Sequence, residues 1–236
     1  REVEPGEMVI ATDAGVESMM IPMRERTAHC VFELLYIART DSVIFGESVA
    51  ARRMEFGRML AREAPAEADI VVGMPESANV AALGFSEESG IPFQFGIARN
   101  QYVGRTFIQP TQSDRDFKVG VKINAVRAIL DRKRIVLVDD SLQRGTTLRS
   151  SVKKMRAAGA TEVHVRIAAP PTVSPCFYGV DIPTRQELMA SNHTLDEICK
   201  HIRADTLGYL TTDSLLACVA RPADYCTACF DGIYPV

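Results

Sequence analysis

The chain has 236 residues, of which 47% are hydrophobic and 24% are charged, a balance typical of one well-cored α/β domain with an appendage. A formal net charge of -3 and scattered Lys and Arg without a basic tract argue against a nucleic-acid partner. The sequence shows neither an apolar stretch of membrane-spanning length nor a signal peptide, so we expect no membrane partner and a cytoplasmic location.

The N-terminal region is irregular. The sequence begins at Arg1 without a methionine, and residues 2–8 are typical of a turn that enters a short strand, so we expect a piece of a longer protein. Residues 3–45 contain short strand-like pieces, among them the apolar run at residues 32–37. Residues 48–64 then have helical spacing.

A possible anion site lies between the next two elements. A buried strand is predicted over residues 68–74 and a helix over residues 78–89. Between them, the Pro-Glu-Ser sequence of residues 75–77 could present backbone amides to an anionic group. The plainer alternative is that Ser77 or Asn79 only caps the helix.

A long polar segment at residues 99–118 follows a short strand predicted over residues 93–97. Its first part, residues 99–110, combines two arginines, hydroxyl groups and aromatic rings with a glycine hinge. Such a segment can close over a charged substrate, exclude water and donate hydrogen bonds to departing phosphates, and Arg105 is the first candidate for that role. Helical spacing returns over residues 122–130.

The most informative run is Asp-Asp-Ser-Leu-Gln-Arg-Gly-Thr-Thr at residues 139–147. It follows an aliphatic run at residues 135–138 that predicts a buried parallel strand, and it precedes a helix predicted over residues 148–158. A turn that feeds a helix N-terminus can bind a phosphate. Asp139 and Asp140 would repel that phosphate, so we expect them to accept hydrogen bonds from sugar hydroxyls or to hold a divalent cation. The alternative, a solvated acidic turn, gives the following Arg-Gly-Thr-Thr no role.

Alternation of strands and helices predicts the fold class. With a further strand over residues 162–169, it indicates an α/β fold with a doubly wound, mostly parallel sheet that binds ligands at the carboxyl ends of its strands. The C-terminal tail contains short helical segments, such as Leu195–Ile202 and residues 212–220. We expect three parts, namely a linker and N-terminal segment at residues 1–40, a core at residues 41–173, and a small subdomain at residues 174–236 that packs on the sheet.

The six cysteines fall into two groups. Cys226 and Cys229 form a C-x-x-C pair, which indicates metal ligands or a redox dithiol. Cys30 and Cys176 could complete a set of four thiolates, although spacing alone does not connect them. The other two lie on apolar faces of helical segments and are expected in the core, namely Cys199 and Cys218.

Three segments together resemble a known family. Residues 139–147 resemble the phosphoribosyl pyrophosphate (PRPP) motif of type I phosphoribosyltransferases, and residues 75–77 resemble their pyrophosphate loop. Residues 99–110 resemble the flexible loop of amidophosphoribosyltransferases. The resemblance covers essentially the whole chain and implies the type I phosphoribosyltransferase fold, with a flexible loop and a small subdomain built from both ends.

The resemblance also implies residue roles. The catalytic residues would be Asp139, Asp140 and Arg105. Mg²⁺ would be held by Asp139 and Asp140, with Ser77 linked to its site. Substrate would be bound by Ser141, Arg144, Gly145, Thr146, Thr147, Pro75, Glu76, Ser77, Arg99, Asn100 and Tyr102.

The cysteine contexts match the cluster-bearing branch of the same family. This likeness implies that Cys30, Cys176, Cys226 and Cys229 hold a [4Fe-4S] cluster. Zinc would suit four thiolates as well, and isolated buried thiols are the third possibility. A cluster would be structural, because the implied reaction transfers no electrons.

The implied reaction transfers the 5-phosphoribosyl group of PRPP to ammonia, giving 5-phosphoribosylamine and pyrophosphate in the first step of purine biosynthesis. Intact family members obtain ammonia from glutamine through a glutaminase domain, which we expect to be missing here. The family also implies purine nucleotides as feedback inhibitors and a homo-oligomer, commonly a tetramer. Two alternatives remain, a purine-salvage phosphoribosyltransferase and a PRPP-sensing regulator without catalysis.

Overall fold

The structure is a computed structural model that describes residues 3–4, 6–22, 27–100 and 123–235. Its strands, in chain order, are β1 (Glu7–Thr12), β2 (Gly15–Met20), β3 (His29–Cys30), β4 (Val43–Ile44), β5 (Glu47–Ser48), β6 (Ile70–Gly73), β7 (Ile97–Arg99), β8 (Ile123–Ala125), β9 (Arg134–Asp139), β10 (Glu162–Ile167), β11 (Thr206–Tyr209) and β12 (Tyr225–Cys226). Its α-helices are α1 (Val49–Glu63), α2 (Asn79–Ser89), α3 (Arg127–Leu130), α4 (Thr146–Ala157), α5 (Met189–Asn192), α6 (Leu195–Ile202), α7 (Thr212–Ala217) and α8 (Ala228–Asp231). Shorter turns are a π-helix at Glu33–Ile37 and 3-10 turns at Arg185–Glu187 and Pro222–Asp224.

Four parallel strands form the central sheet, in the order β6, β9, β10, β11. Nearly every residue of β6, β9 and β10 is buried, which explains why these segments are continuous aliphatic runs rather than alternating ones. The predicted parallel α/β sheet is therefore confirmed. Because all strands run in one direction, their carboxyl ends lie along one edge, where the predicted ligand segments begin.

Helices α1 and α2 pack against each other, and α2 also contacts β6. Their close approach depends on Gly57 and Gly84, since a Cβ at Gly57 would lie 1.9 Å from the Ala81 carbonyl oxygen and one at Gly84 would lie 2.0 Å from that of Met54. Helix α4 contacts β10. The hydrophobic core thus lies between the sheet and these helices.

The edge strand β11 was not predicted. It pairs with β10 in parallel, with Thr206 opposite His164 and Tyr209 opposite Ile167. Its sequence Thr-Leu-Gly-Tyr is short and contains a glycine, so it lacks the aliphatic run that marks the other strands. The C-terminal tail therefore contributes directly to the central sheet.

Small sheets join the chain ends to the core. Strands β3 and β12 pair in parallel, with His29 opposite Tyr225 and Cys30 opposite Cys226. Strands β1 and β2 form an antiparallel hairpin. The first pairing brings residues that are nearly two hundred positions apart in the sequence into contact.

Three local predictions were wrong. Residues 32–37 belong to a helical segment that contains the π-helix, because an apolar run this short does not distinguish strand from helix. A helix predicted over residues 122–130 is strand β8 followed by the single turn α3. The strand predicted over residues 93–97 is reduced to one bridge between Phe93 and Val71, and β7 begins at Ile97.

Within the described ranges, no helix is both long and apolar enough to cross a membrane.

Candidate active site

The carboxyl ends of β6 and β9 meet at one point of the sheet. Gly73, the last residue of β6, pairs with Val138 of β9. The next residue, Met74, donates its backbone N–H to the Val138 carbonyl oxygen at 2.9 Å, and Ala168 donates to that of Asp139 at 2.8 Å. These bonds bring together the loops that follow three neighbouring strands.

Ser77 and the two aspartates form one polar cluster at this point. The Ser77 hydroxyl donates to Asp140 Oδ2 at 2.5 Å, and the Ser141 hydroxyl donates to Asp140 Oδ1 at 2.8 Å. The Asp139 carboxylate accepts the backbone N–H of Asp140 at 2.9 Å. Only 9% of Asp139 and 7% of Asp140 is exposed. The alternative of a solvated acidic turn is therefore wrong.

Burial makes this pair costly to ionise. It raises the pKa of Asp139 well above its usual range, and the neighbouring Asp140 carboxylate raises it further. Burial also raises the pKa of Asp140, although the hydroxyls of Ser77 and Ser141 and the positive charge of Arg53 oppose this rise. Two buried carboxylates side by side provide acceptors for hydroxyl groups and ligands for a cation.

A turn after the pair leads into helix α4. Gly145 adopts a left-handed conformation with φ 71° at the N-cap position and makes no side-chain cap, so the first backbone N–H groups of α4 are available to an anion. The side chains of Thr146 and Thr147, the first residues of the helix, are exposed beside them. Arg144 points to Glu187 instead, with Nη2 and Oε1 2.9 Å apart.

Residues 75–77 lie next to the carboxylates through Ser77. The Pro75–Glu76 peptide bond is cis. Helix α2 has Ala78 at its N-cap without a side-chain cap, so the alternative in which Ser77 or Asn79 merely caps the helix is wrong. Glu76 Oε2 lies 3.7 Å from Arg99 Nη1, which connects this loop with the start of the predicted flexible segment.

The predicted flexible segment falls largely in the gap between residues 100 and 123. Arg99 ends β7 and Asn100 is the last residue described before the gap. Tyr102 and Arg105 lie outside the described residues. Their predicted roles therefore stay predictions.

Sequence reasoning missed one residue beside the pair. Arg53 of α1 is only 3% exposed and interacts electrostatically with Asp140. It occupies a core position of the helix, on the same stripe as Val49, Phe56 and Leu60, which are all buried. An arginine in an otherwise apolar stripe was the available signal, since buried charges are rare unless they are paired.

The four cysteines singled out in the sequence line one cavity of about 540 Å³. Pairing of β3 with β12 sets Cys30 opposite Cys226, and the Cys229 carbonyl oxygen accepts the N–H groups of Val173 and Ser174. Burial raises the pKa of Cys30 and Cys229, and neighbouring cysteines raise both further. All six cysteines of the chain are free, and Cys218 is buried while Cys199 is half-buried.

A mononuclear metal centre is not evident in the described residues, because no group of three or more His, Cys, Asp or Glu side chains is arranged to hold a single ion. The four thiols instead surround a cavity much larger than one ion, around which Zn–S distances would be about 2.3 Å. The arrangement therefore suits a larger thiolate-bound group better than zinc.

A parallel sheet with paired carboxylates after a central strand, followed by a glycine turn into a helix, defines the class of this protein. The chain has the type I phosphoribosyltransferase fold.

Comparisons with known proteins narrow this class. No protein-family model matches the chain. It is 48% identical to the amidophosphoribosyltransferases of Synechococcus elongatus over 237 residues and of Bacillus subtilis over 240 residues, and 47% identical to that of Archaeoglobus fulgidus over 239 residues. All three matches cover 100% of this chain and respectively 48%, 50% and 52% of the relatives.

Solved structures agree. The chain superposes with a TM-score of 0.87 on glutamine PRPP amidotransferase from B. subtilis complexed with ADP and GMP, at 48% identity, covering 100% of this chain and 53% of that one. The chain spans about half the length of the relatives it matches. Over the part that it spans, it belongs to the amidophosphoribosyltransferase family.

Proposed function

We propose that this chain transfers the 5-phosphoribosyl group of PRPP to ammonia, giving 5-phosphoribosylamine and pyrophosphate. The observation that carries the proposal is the buried cluster of Ser77, Asp139 and Asp140 beside the turn into α4. It provides polar groups for a ribose next to a helix N-terminus that suits a phosphate. Similarity to amidophosphoribosyltransferases over the whole chain supports the choice of ammonia as acceptor.

The carboxylates act on the ribose. Breaking the bond between C1 and the pyrophosphate oxygen builds positive charge on the sugar and negative charge on the leaving group, so the site has to stabilise separating charges. Asp139 and Asp140 accept hydrogen bonds from the 2- and 3-hydroxyl groups and orient the ring. Their negative charge also favours the cationic character that develops at C1.

The turn into α4 holds the 5-phosphate. Backbone N–H groups around Gly145 and the hydroxyls of Thr146 and Thr147 donate to it, with Ser141 at the start of the turn. Arg144 lies beside this turn, where its ion pair with Glu187 keeps the guanidinium in place. Binding the phosphate at a fixed point sets the distance from C1 to the carboxylates.

A divalent cation such as Mg²⁺ suits the donor set of the pair. Asp139 and Asp140 supply the oxygen ligands that Mg²⁺ prefers, and the Ser77 hydroxyl already contacts Asp140. The mutual repulsion of the two buried carboxylates would be relieved by a cation. When bound, Mg²⁺ would neutralise negative charge on the pyrophosphate.

The leaving group is met by residues 75–77 and the flexible segment. Backbone amides of Pro75-Glu76-Ser77 and the side chains of Arg99 and Asn100 face the departing pyrophosphate in this proposal, joined by Tyr102 and Arg105 on closure. Contact between Glu76 and Arg99 supports the nearness of the two segments. Ammonia needs no activating base, and in the whole enzyme glutamine would supply it.

We further infer that Cys30, Cys176, Cys226 and Cys229 hold a [4Fe-4S] cluster. Four thiols around one cavity match its donor set, and the raised pKa values of Cys30 and Cys229 indicate thiols that a cationic group would stabilise as thiolates. The cluster would be structural and would join β3 to the C-terminal segment. A chain with six free cysteines also suits a cytoplasmic location.

Purine nucleotides would act as feedback inhibitors of a homo-oligomer. One similar structure is complexed with ADP and GMP, and the phosphate-binding turn of this chain would accept a nucleotide 5-phosphate as readily as that of PRPP. We expect GMP to raise the KM for PRPP in steady-state kinetics. A KM that is unchanged at saturating GMP would contradict competition at this turn.

Pyrophosphate release from PRPP with Mg²⁺ tests the function. We expect release with ammonia and none with adenine, guanine or hypoxanthine. Release with a base alone would indicate purine salvage, and PRPP binding without turnover would indicate a regulator.

A paired substitution tests the site. Ser77→Ala should lower kcat/KM for PRPP by about tenfold to a hundredfold, the worth of a hydrogen bond to a charged group. The control Ser86→Ala removes a comparable bond, to the Ile91 carbonyl oxygen at 2.6 Å, and should leave kcat/KM unchanged. Equal effects of the two changes would contradict a role for Ser77.

A further inference from the structure

Arg53 is a buried arginine with an unusual set of partners. Its Nε donates to the Leu34 carbonyl oxygen at 2.9 Å, its Nη2 donates to that of Ala38 at 2.8 Å, and its Nη1 donates to Thr40 Oγ1 at 3.1 Å. All three acceptors are neutral oxygen atoms. They lie on residues 34–40, the segment that contains most of the π-helix.

Neutral acceptors do not compensate a buried positive charge. Taking a guanidinium out of water is expensive unless an opposite charge is close. The carboxylate that attracts Arg53 is Asp140, which is buried beside a second carboxylate. One cation and two carboxylates are thus buried together, and the hydrogen bonds to residues 34–40 fix where the cation lies.

We propose that Arg53 is a positioning residue for the Asp139–Asp140 pair, holding residues 34–40 against the carboxyl end of β9 and supplying the positive charge that offsets the repulsion between the two carboxylates. This inference rests on the proposed function, since the pair is the proposed ribose-binding group. Arg53 itself makes no bond to substrate in this proposal. Its role is to keep the two carboxylates at the spacing that the ribose hydroxyls require.

The competing explanation is that Arg53 only ends the π-helix by binding its free carbonyl groups. Both explanations predict a loss of stability when the side chain is removed. They differ in catalysis, because only a positioning residue affects kcat/KM for PRPP in protein that remains folded. They differ also in the effect of lysine, which keeps the charge but cannot reach three acceptors at once.

Arg166 provides a matched control. It is also a buried arginine that donates mainly to backbone carbonyls, those of Ala64 at 2.6 Å and Pro65 at 2.8 Å, and to the Thr206 hydroxyl at 2.9 Å. Its acceptors lie at the end of α1 and on β11, away from Asp140. Arg166→Met should therefore reproduce the structural cost of losing a buried arginine without affecting the carboxylate pair.

The experiment measures kcat and KM for PRPP, with ammonia as acceptor and saturating Mg²⁺, at least 10 °C below the Tm of each variant. Relative to the unmodified chain, we expect kcat/KM to fall about a hundredfold in Arg53→Met and about tenfold in Arg53→Lys, magnitudes typical of a misplaced catalytic group. Arg166→Met should stay within about threefold of the unmodified chain. An Arg53→Met variant that behaves like Arg166→Met would overturn the proposal.

Folding failure and failure of the proposed function are both separable. If Arg53→Met does not fold, Arg53→Lys decides, and unchanged kinetics in that variant would overturn the inference. If the unmodified chain shows no turnover, calorimetric titration with PRPP and Mg²⁺ reports on the same pair, and Arg53→Lys should bind at least about tenfold more weakly. An unmodified chain that neither turns over nor binds PRPP would refute the proposed function itself.

Discussion

At the scale of single residues, the buried carboxylate pair is a place where function opposes stability. Its low exposure and mutual repulsion make ionisation unfavourable in the folded chain. An unfolded aspartate has a pKa of about 3.9, and the folded pKa of Asp139 lies above that value. Ionisation of Asp139 therefore favours unfolding once the pH rises above the unfolded pKa, and this cost is complete above the folded pKa.

Asp139→Asn should therefore stabilise the metal-free protein at neutral pH while abolishing activity. Asparagine keeps the acceptor for the Asp140 N–H but carries no charge. We expect a Tm higher by about 2–4 °C for each kcal/mol gained at pH 8, with the difference disappearing as the pH falls to about 3.5, below the unfolded pKa. Thermal unfolding in a chelator measures it.

Asp181→Asn, at an exposed aspartate, is the control and should change Tm little at either pH. An Asp139→Asn variant that is less stable at pH 8, or equally stabilised at both pH values, would contradict this account.

Residue chemistry also shows what could be predicted. Ser77, Asp139 and Asp140 were identified from the sequence because each follows a recognisable strand, and strand ends in a parallel sheet share one edge. Arg53 was not, because its stripe on α1 looks like an ordinary amphipathic helix with one polar substitution. Only the fold places that position beside Asp140.

At the scale of elements, the start of α4 is the feature on which phosphate binding depends. Gly145 has φ 71°, a conformation that side chains rarely adopt, and a Cβ there would lie 3.3 Å from Ile202 Cγ2. Gly90 at the end of α2 has φ 73°, and a Cβ added there would meet no other part of the described chain within 4 Å. The two glycines thus share a backbone conformation and differ in surroundings.

Gly145→Ala and Gly90→Ala separate these contributions. Both should lower the unfolding free energy by about 1 kcal/mol, the cost of a left-handed alanine, and Gly145→Ala by somewhat more because of Ile202. Only Gly145→Ala should raise the KM for PRPP, by about tenfold, since it moves the amides at the helix start. A raised KM in both variants, or in neither, would show that α4 does not hold the phosphate.

Elements were predicted well where they are buried and regular. The sequence predicted β6, β9, β10, α1, α2, α4 and α6 within a few residues, because long periodic or aliphatic runs leave little choice of structure. It failed for residues 32–37, for residues 122–130 and for β11. Those segments are short, and their conformation is decided by the neighbour against which they pack.

At the scale of the whole molecule, the cysteine-lined cavity joins the two ends of the chain. Cys30 lies on β3, Cys226 on β12, and Cys176 on a loop that lies between them in the sequence. A group bound by all four thiols would close loops of well over a hundred residues. Such a link should contribute strongly to stability because binding then depends on the folded arrangement.

Cys226→Ser should therefore lose the bound iron and lower Tm, whereas Cys199→Ser should do neither. Cys199 is half-buried on α6 and donates to the Ala204 carbonyl oxygen. Iron and sulfide analysis of anaerobically purified protein, with thermal unfolding of both variants, measures the effect. Colourless protein that contains zinc, or equal Tm losses in both variants, would contradict the cluster.

The sequence by itself determined the parallel α/β fold, the strand ends that bear the candidate site and the family resemblance, because these depend on short-range patterns of burial and turn chemistry. Tertiary structure alone decided that Ser77 contacts Asp140, that Arg53 lies beside the pair, and that four distant cysteines line one cavity. Each of these contacts joins segments far apart in the chain. Their geometry is fixed by packing across the sheet and not by any local preference of the residues involved.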